Sequence, residues 1–412
     1  MSKVTSIPQL RFPEFSGEWK EKKLSDVAEI VGGGTPPTAV EKYWGGDIQW
    51  FTPTEIKNKY IVNSKRTITQ VGLDTSSARL LPKGTLLFSS RATVGEIGIA
   101  VQECTTNQGF QSFIVNKDND SEFLYNWIIK NKKEFIRRAS GSTFLEIGKS
   151  EIKKIKSNIP LLSEQQKIAA FLTAVDNKIE QLSKKKALLG EYKKGLMQQI
   201  FSQAIRFKAN DGSDFPDWEE KKLGDLSVVI SDGNYGELYP TSSDFKLTGV
   251  PFLRANNIKS LKIDGTDTKY ITEEQHSLLT SGHLQTNDIL ITTRGVLGNL
   301  AIVESTHNGS NINAQICLLR VTNTSELNHF YLLFVLDHRD SKKQYKAFET
   351  GTALKQLPKG NLRKIKLKLP TLFEQNKIAN FLSSIDTKIE QVDKQLDESK
   401  QFKKALLQQM FV

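Results

Sequence analysis

The stretch Ile159-Pro-Leu-Leu-Ser-Glu-Gln-Gln-Lys-Ile-Ala-Ala-Phe-Leu172 returns 210 residues later as Leu369-Pro-Thr-Leu-Phe-Glu-Gln-Asn-Lys-Ile-Ala-Asn-Phe-Leu382. The match runs on without a gap to Phe201 and Phe411, with 21 of 43 positions identical, among them Glu164/Glu374, Gln165/Gln375, Asp176/Asp386 and Leu196/Leu406. A repeat of this length is read before any local feature. Each copy opens on a proline, and Ser163 with Gln166, or Thr371 with Glu374, has the spacing of a capping box, so a helix should start sharply at both places. Apolar residues then recur at three and four: Ile168, Leu172, Val175, Ile179, Leu182, Leu189, Leu196 and Ile200, matched by Ile378, Leu382, Ile385, Ile389, Val392, Leu396, Leu406 and Met410. That pattern is a coiled-coil seam.

Toward each C-terminal end the seam weakens, where Lys186, Lys193, Ser399 and Lys403 take seam positions and Tyr192 or Phe402 must cover the face. Antiparallel helices would set each polar half against the other's apolar half, the lysine stems crossing it with their amines in water. From Ser163 to Phe201 a straight helix would reach roughly 58 Å at about 1.5 Å per residue.

The repeat divides 412 residues into two domain-sized halves. The expected order is a globular domain over 1–158, a spacer helix over 159–205, a second domain over 206–368 and a second spacer helix over 369–412. The domains also echo each other. Trp19-Lys-Glu-Lys-Lys-Leu24-Ser-Asp26 resembles Trp218-Glu-Glu-Lys-Lys-Leu223-Gly-Asp225, and Gly84 to Gly95 resembles Asn287 to Gly298, with Arg91 and Arg294 aligned. Short β-branched runs (289–293 and 312–321) read as strands, and 121–139 and 326–348 as helices. The class is α+β: two similar domains and two long antiparallel helices, a pseudo-twofold dumbbell with its termini close together. Between the anchors the halves diverge, and Gly32 to Pro37 has no counterpart in Ser231 to Gly236. One scaffold with two surfaces implies two different ligands.

Hydrophobic content of 38% with 25% charged residues belongs to a globular chain. No apolar run approaches a membrane span, and the first residues lack a signal-peptide core, so a cytoplasmic protein is expected. Cys104 and Cys317 stand in unmatched surroundings and read as buried thiols rather than a disulfide or zinc site. The net charge of +11 favours a polyanionic partner.

In their order and duplication these residues resemble the specificity subunit of type I restriction–modification systems. The resemblance rests on the Trp19 to Leu24 entry, Gly34-Thr35-Pro36, Leu81-Pro-Lys-Gly84, Arg91 with Gly95, Asn107-Gln-Gly109, Gly141-Ser-Thr143, and Ile159 to Gln165 running into Lys167-Ile-Ala. The second half departs from the set, with Ser231-Asp-Gly233 and Asn313-Ala-Gln315. The resemblance implies a non-catalytic subunit whose two target-recognition domains each read half of a split sequence in double-stranded DNA. It implies two docked modification subunits that methylate adenine, and restriction subunits joining through them. This chain would hold no cofactor; S-adenosylmethionine, ATP and Mg would belong to the partners, and no membrane is involved.

Base-edge readout needs Arg for guanine, Asn or Gln for adenine, and Thr methyls near thymine. Ser89, Ser90, Arg91, Thr93, Asn107 and Gln108 supply such groups in the first half, and Arg254, Asn256, Asn257, Thr292, Thr293, Arg294, Asn313 and Gln315 in the second. Arg91 and Arg294 share one position, which favours a grip on phosphate or on a framework carboxylate over a base that differs between half-sites. The identities Gln165/Gln375 and Gln198, Gln199 with Gln408, Gln409 exceed what an intramolecular seam needs, and imply an outer face that docks identical partners twice.

Other chemistry is weaker. Gly148-Lys149-Ser150 lacks the upstream glycine of a phosphate loop, since Thr143 stands there. Asp217 and Glu219 lie too close along the chain for a nuclease site, the five histidines have no ligand spacing, and no Asp-Pro-Pro-Tyr or Asn-Pro-Pro-Tyr type of methylation motif occurs. A free-standing nuclease or methyltransferase, and a coiled-coil scaffold without DNA binding, are the alternatives.

Overall fold

The structure is a computed structural model describing residues 7–141, 145–236 and 239–412. The chain forms two compact units, Met1–Lys184 with Asp393–Val412, and Lys185–Val392. The repeats form two helices, α1 (Leu162–Phe201) and α2 (Leu372–Gln409). Each helix contributes one half to each unit, so a unit is a globular domain plus the start of one long helix and the end of the other.

Both domains are built alike. In the first, a five-stranded sheet has the order Ala28–Gly32, Gln111–Val115, Leu86–Phe88, Ile97–Ala100 and Tyr60–Ile61, and a second sheet sets Trp44–Phe51 between Arg66–Ile68 and Cys104–Thr106. In the second, four strands run Val228–Asp232, Ile316–Val321, Ile289–Thr292 and Leu300–Ile302, and a three-stranded sheet sets Val250–Leu253 between Lys269–Ile271 and Asn311–Ile312. Each entry strand, Lys20–Lys23 or Glu219–Lys222, pairs antiparallel with the strand that leads into the long helix, Lys156–Ile159 or Lys366–Leu369. The beginning and end of a domain are thereby clasped together.

The expected strand over 312–321 is two strands, interrupted by a turn at Asn313–Gln315. Each expected domain helix is also two: Ser121–Lys130 then Lys132–Arg138, and His329–Asp337 then Arg339–Phe348. The second break falls at His338, whose backbone is extended and whose side chain accepts from the Asp340 amide.

Packing within each unit is antiparallel. In the first unit Ile168, Leu172 and Val175 of α1 share a core with Leu406, Leu407 and Met410 of α2, together with Trp19, Phe123 and Trp127 of the domain. In the second, Ile378, Leu382 and Ile385 of α2 meet Met197, Ile200 and Phe201 of α1 beside Tyr331 and Phe334. Two expectations about the polar ends require correction. The amines of Lys193 and Lys403 do not reach out to water: Lys193 Nζ lies 2.6 and 2.7 Å from the two Asp386 oxygens, and Lys403 Nζ lies 2.5 Å from Asp176. These are equivalent pairs, since Lys193/Lys403 and Asp176/Asp386 are repeat identities, and each is satisfied only in antiparallel register. Nor do Tyr192 and Phe402 cover the seam; both are exposed. At Lys193 and Lys403 the amines are neutralised by carboxylates, with no need of an aromatic ring to cover them.

The capping-box expectation is also revised. Ser163 lies inside α1 rather than at its cap, and Glu374 spends its carboxylate on Arg206 and Trp218. Among the described residues no helix is long and apolar enough to cross a membrane.

Glu374 is fully buried. Removing one partner of such a pair leaves uncompensated buried charge and costs about 3–5 kcal/mol. Glu374→Ala should therefore lower the unfolding free energy of the second unit, read by denaturant titration, by that amount, while Glu390→Ala, on the exposed face of α2, lowers it by less than about 1 kcal/mol. Equal effects of the two substitutions would contradict this reading.

Candidate functional site

At the head of α1, Glu164 accepts from Arg11 Nε at 2.7 Å, from Arg11 Nη2 at 2.8 Å and from Trp19 Nε1 at 3.2 Å. At the head of α2, Glu374 accepts from Arg206 Nη2 at 2.9 Å, Arg206 Nε at 3.3 Å and Trp218 Nε1 at 3.0 Å. Hydrogen bonding to the carboxylates holds both guanidinium groups above their ordinary pKa, against the opposing effect of burial. The neighbouring glutamines are interior as well. Gln165 accepts from the Asp120 amide and donates to the Pro160 carbonyl; Gln375 accepts from the Asn328 amide and donates to the Pro370 carbonyl. Asp120 and Asn328 are the N-caps of the domain helices. Gln165 and Gln375 are thus removed from the outer docking face: their amides are consumed in fastening helix to domain. Gln198, Gln199, Gln408 and Gln409 are exposed.

The first domain gathers three loops onto one surface. The Gly34 amide donates to Thr106 O, Thr35 Oγ1 donates to Gln108 Oε1 at 2.5 Å, and Ser90 donates through both its amide and Oγ to Gly109 O. Asn107 folds its side chain back, Oδ1 accepting from the Gly109 amide at 2.9 Å, as in an Asx turn. Ser89 and Ser90 are fully buried, Ser89 sharing a hydrogen bond with Thr93 Oγ1. These two serines are corrected from candidate base readers to loop supports. Arg91, Thr93 and Gln108 stay exposed and Asn107 half-buried, and Arg91 Nε lies 3.5 Å from Glu146. Of the Gly141–Thr143 motif, Ser142 and Thr143 lie outside the described residues.

The second domain repeats the frame. Asn313 Oδ1 accepts from the Gln315 amide at 3.1 Å, and Thr293 donates to Gln315 O as Ser90 does to Gly109 O. Thr292, Thr293, Asn313 and Asn257 are buried. Their polar atoms serve the loops: Thr292 Oγ1 donates to Val296 O, and Asn257 accepts from the Arg254 amide while donating to Asp264 O. These four likewise leave the set of base readers. Arg254, Asn256, Arg294 and Gln315 reach the surface to differing degrees, but Arg254 and Asn256 both donate to Asp267 Oδ2.

One further correction concerns the glycine loop. A Cβ on Gly33 would sit 2.0 Å from Asn107 O and 2.5 Å from Thr106 O; on Gly233 it would sit 2.3 Å from Asn313 O and 2.6 Å from Ile312 O. The two segments therefore do have a counterpart at one position, where the chain passes too close to the asparagine turn for any side chain. The surrounding residues share nothing, so sequence comparison had no signal to align.

Two aromatic clusters were missed from the sequence. Trp44 and Trp50 meet edge to face at 5.0 Å, with the Arg66 guanidinium 3.5 Å above the Trp44 ring. In the second domain Arg294 lies 5.0 Å over Tyr235 and donates to its hydroxyl at 3.3 Å. The tryptophans stand six residues apart in Trp44-Gly-Gly-Asp-Ile-Gln-Trp50, and only the cross-strand register brings Arg66 over them.

Among the described residues no group of three His, Cys, Asp or Glu side chains could hold a metal. His276 Nε2 and His283 Nδ1 do meet at 3.2 Å, and the His283 ring also bonds Leu279 O.

A family model described as a type I restriction modification DNA specificity domain matches residues 16–190 and again 216–399, and the chain belongs to this family, with two copies of its domain. The MjaIX type I restriction enzyme specificity subunit of Methanocaldococcus jannaschii is 37% identical over 267 residues, which span 61% of this chain and 60% of that protein. A second from that organism, the putative MjaX specificity subunit, is 26% identical over 98% of this chain and 95% of its own. The type I restriction–modification S subunit structure from M. genitalium superposes with a TM-score of 0.63 at 18% identity, covering 98% of this chain and 99% of that one. At that identity the likeness is one of fold, and the α+β architecture of two similar domains with long helices is shared.

The chemistry of the cysteines is closed to solvent. Burial pushes the Cys104 thiol up to about 12, and the Cys317 thiol upward as well. At pH 8 a disulfide reagent should label neither in the folded protein and both after denaturation; rapid native labelling of either would contradict the buried placement.

Proposed function

We propose that this chain is the DNA-reading subunit of a type I restriction–modification complex, in which each domain reads one half of a split target. The observation that carries this reading is the pairing of duplicated framework with divergent surface. Asn107/Asn313, Ser90/Thr293 and Gly33/Gly233 hold the loops identically, while the exposed groups between them differ. Arg66 on Trp44 has no match in the Arg254–Asp267–Lys269 cluster. Two unlike half-sites read from one scaffold require this arrangement.

In this reading the long helices also carry the partners. The exposed glutamines at 198, 199, 408 and 409 and the exposed aromatics Tyr192 and Phe402 recur at one spacing on both helices. They present one surface twice, which suits two copies of a modification subunit. Restriction subunits join through these. Adenine methylation with S-adenosylmethionine, and cleavage with ATP and Mg, belong to the partner chains.

Methylome sequencing of cells with and without the chain should show a bipartite methyladenine motif that vanishes when the chain is removed; a motif that persists would contradict the reading. Native mass measurement should give two modification subunits per chain, and Tyr192→Ala with Phe402→Ala should reduce that number. A stable one-to-one complex would count against duplicated docking.

A further inference from the structure

Arg66 lies against a pair of tryptophans, a setting not repeated by the other candidate arginines among the described residues. It faces Trp50 across the strand register, its guanidinium carbon 3.5 Å from the Trp44 ring and 5.8 Å from the Trp50 ring. Both indoles are hydrogen-bonded: Trp44 Nε1 donates to Pro37 O at 3.3 Å and Trp50 Nε1 to Gly34 O at 2.9 Å, which ties them to the loop that carries Thr35 and, through it, Gln108. Arg66 is an exposed residue, yet among the described residues no carboxylate lies within ion-pair distance of it. Arg91 is paired with Glu146 and Arg254 with Asp267, while Arg294 lies over the single ring of Tyr235 and donates to its hydroxyl.

The second domain shows what a satisfied version looks like. Lys269 faces Phe252 in the same register and lies 3.4 Å from Asp267, two residues before it, which also holds Arg254. Two residues before Arg66 stands Ser64, which has no charge to offer. A phosphate contact common to both half-sites would keep a free cation at this register position in both domains, and there Lys269 of the second is paired with Asp267. A guanine edge needs two parallel donors in one plane, which the guanidinium fork supplies. Stacking on a fixed indole sets that plane before binding and reduces the entropy lost on contact.

We propose that Arg66, held on the Trp44–Trp50 shelf, reads a guanine edge in the half-site of the first domain. This rests on the chain being a DNA specificity subunit. The test is the complex reconstituted with its modification subunits, assayed for methylation across a DNA library with the unaltered chain, Arg66→Ala, Arg66→Lys and Trp44→Leu. The alanine variant should lose roughly ten- to hundredfold discrimination at one G·C pair of one half-site, with the other half and the spacer unchanged. Lysine should not restore it, and Trp44→Leu should relax the same position. A uniform loss over all sequences, rescued by lysine and with a salt slope reduced by about one, marks a phosphate grip and overturns the proposal. Unchanged specificity overturns it as well. If the unaltered chain yields no split motif, the underlying specificity reading fails, and the role of Arg66 with it.

Discussion

Everything in this structure hangs from a buried carboxylate at the head of each long helix. Glu164 and Glu374 are almost wholly removed from solvent, at 2% and 0% exposure, and a charge so placed is tolerable only with full hydrogen bonding. An arginine and a tryptophan supply it at both ends. Because the tryptophan opens the domain, the arginine precedes it and the glutamate begins the helix, one ion pair fastens three separate stretches of chain. Gln165 and Gln375 complete the fastening by binding the N-cap residue of the neighbouring domain helix. The lysine–aspartate pairs farther along act on register: each lysine at the end of one helix has a carboxylate only near the start of the other. Attachment and register are thereby specified by polar groups beside and within a largely apolar seam.

That frame has a consequence for recognition. Rigid loops are needed to place a few side chains against a base edge, and rigidity here comes from buried hydroxyls and amides rather than from the reading groups. Ser90, Thr293, Asn107 and Asn313 bond to backbone two to about twenty residues away, so the exposed positions between them can vary without loosening the turn. The first surface is built on indole rings and a free guanidinium, the second on a tyrosine–arginine stack and an acidic centre. The scaffold is duplicated, and the chemistry it displays is not.

Much of the architecture was legible in the repeat itself, because heptad-like spacing and duplicated anchors are local patterns that survive in one dimension. What escaped depended on the third. Gln165 and Gln375 look like outer-face polar residues from their spacing, and only the position of the Asp120 and Asn328 amides explains why they point inward. Ser89, Ser90, Thr292 and Thr293 have the residue types of base readers but lie at a strand end where the loop turns over them. Arg66 was invisible because nothing near it in sequence is aromatic; Trp44 and Trp50 reach it through strand pairing. Gly33 and Gly233 correspond through a carbonyl contact, with no flanking similarity to betray it.

The central claim is that each domain independently reads one half of the target, on a frame that the helices keep constant. It is tested most directly by replacing the second domain, residues 206–368, with that of another family member and sequencing the methylated motif. The account predicts a hybrid motif in which one half-site changes while the other half-site and the spacer length stay as they were. A motif altered in both halves, or a spacer that changes with the domain, would contradict it.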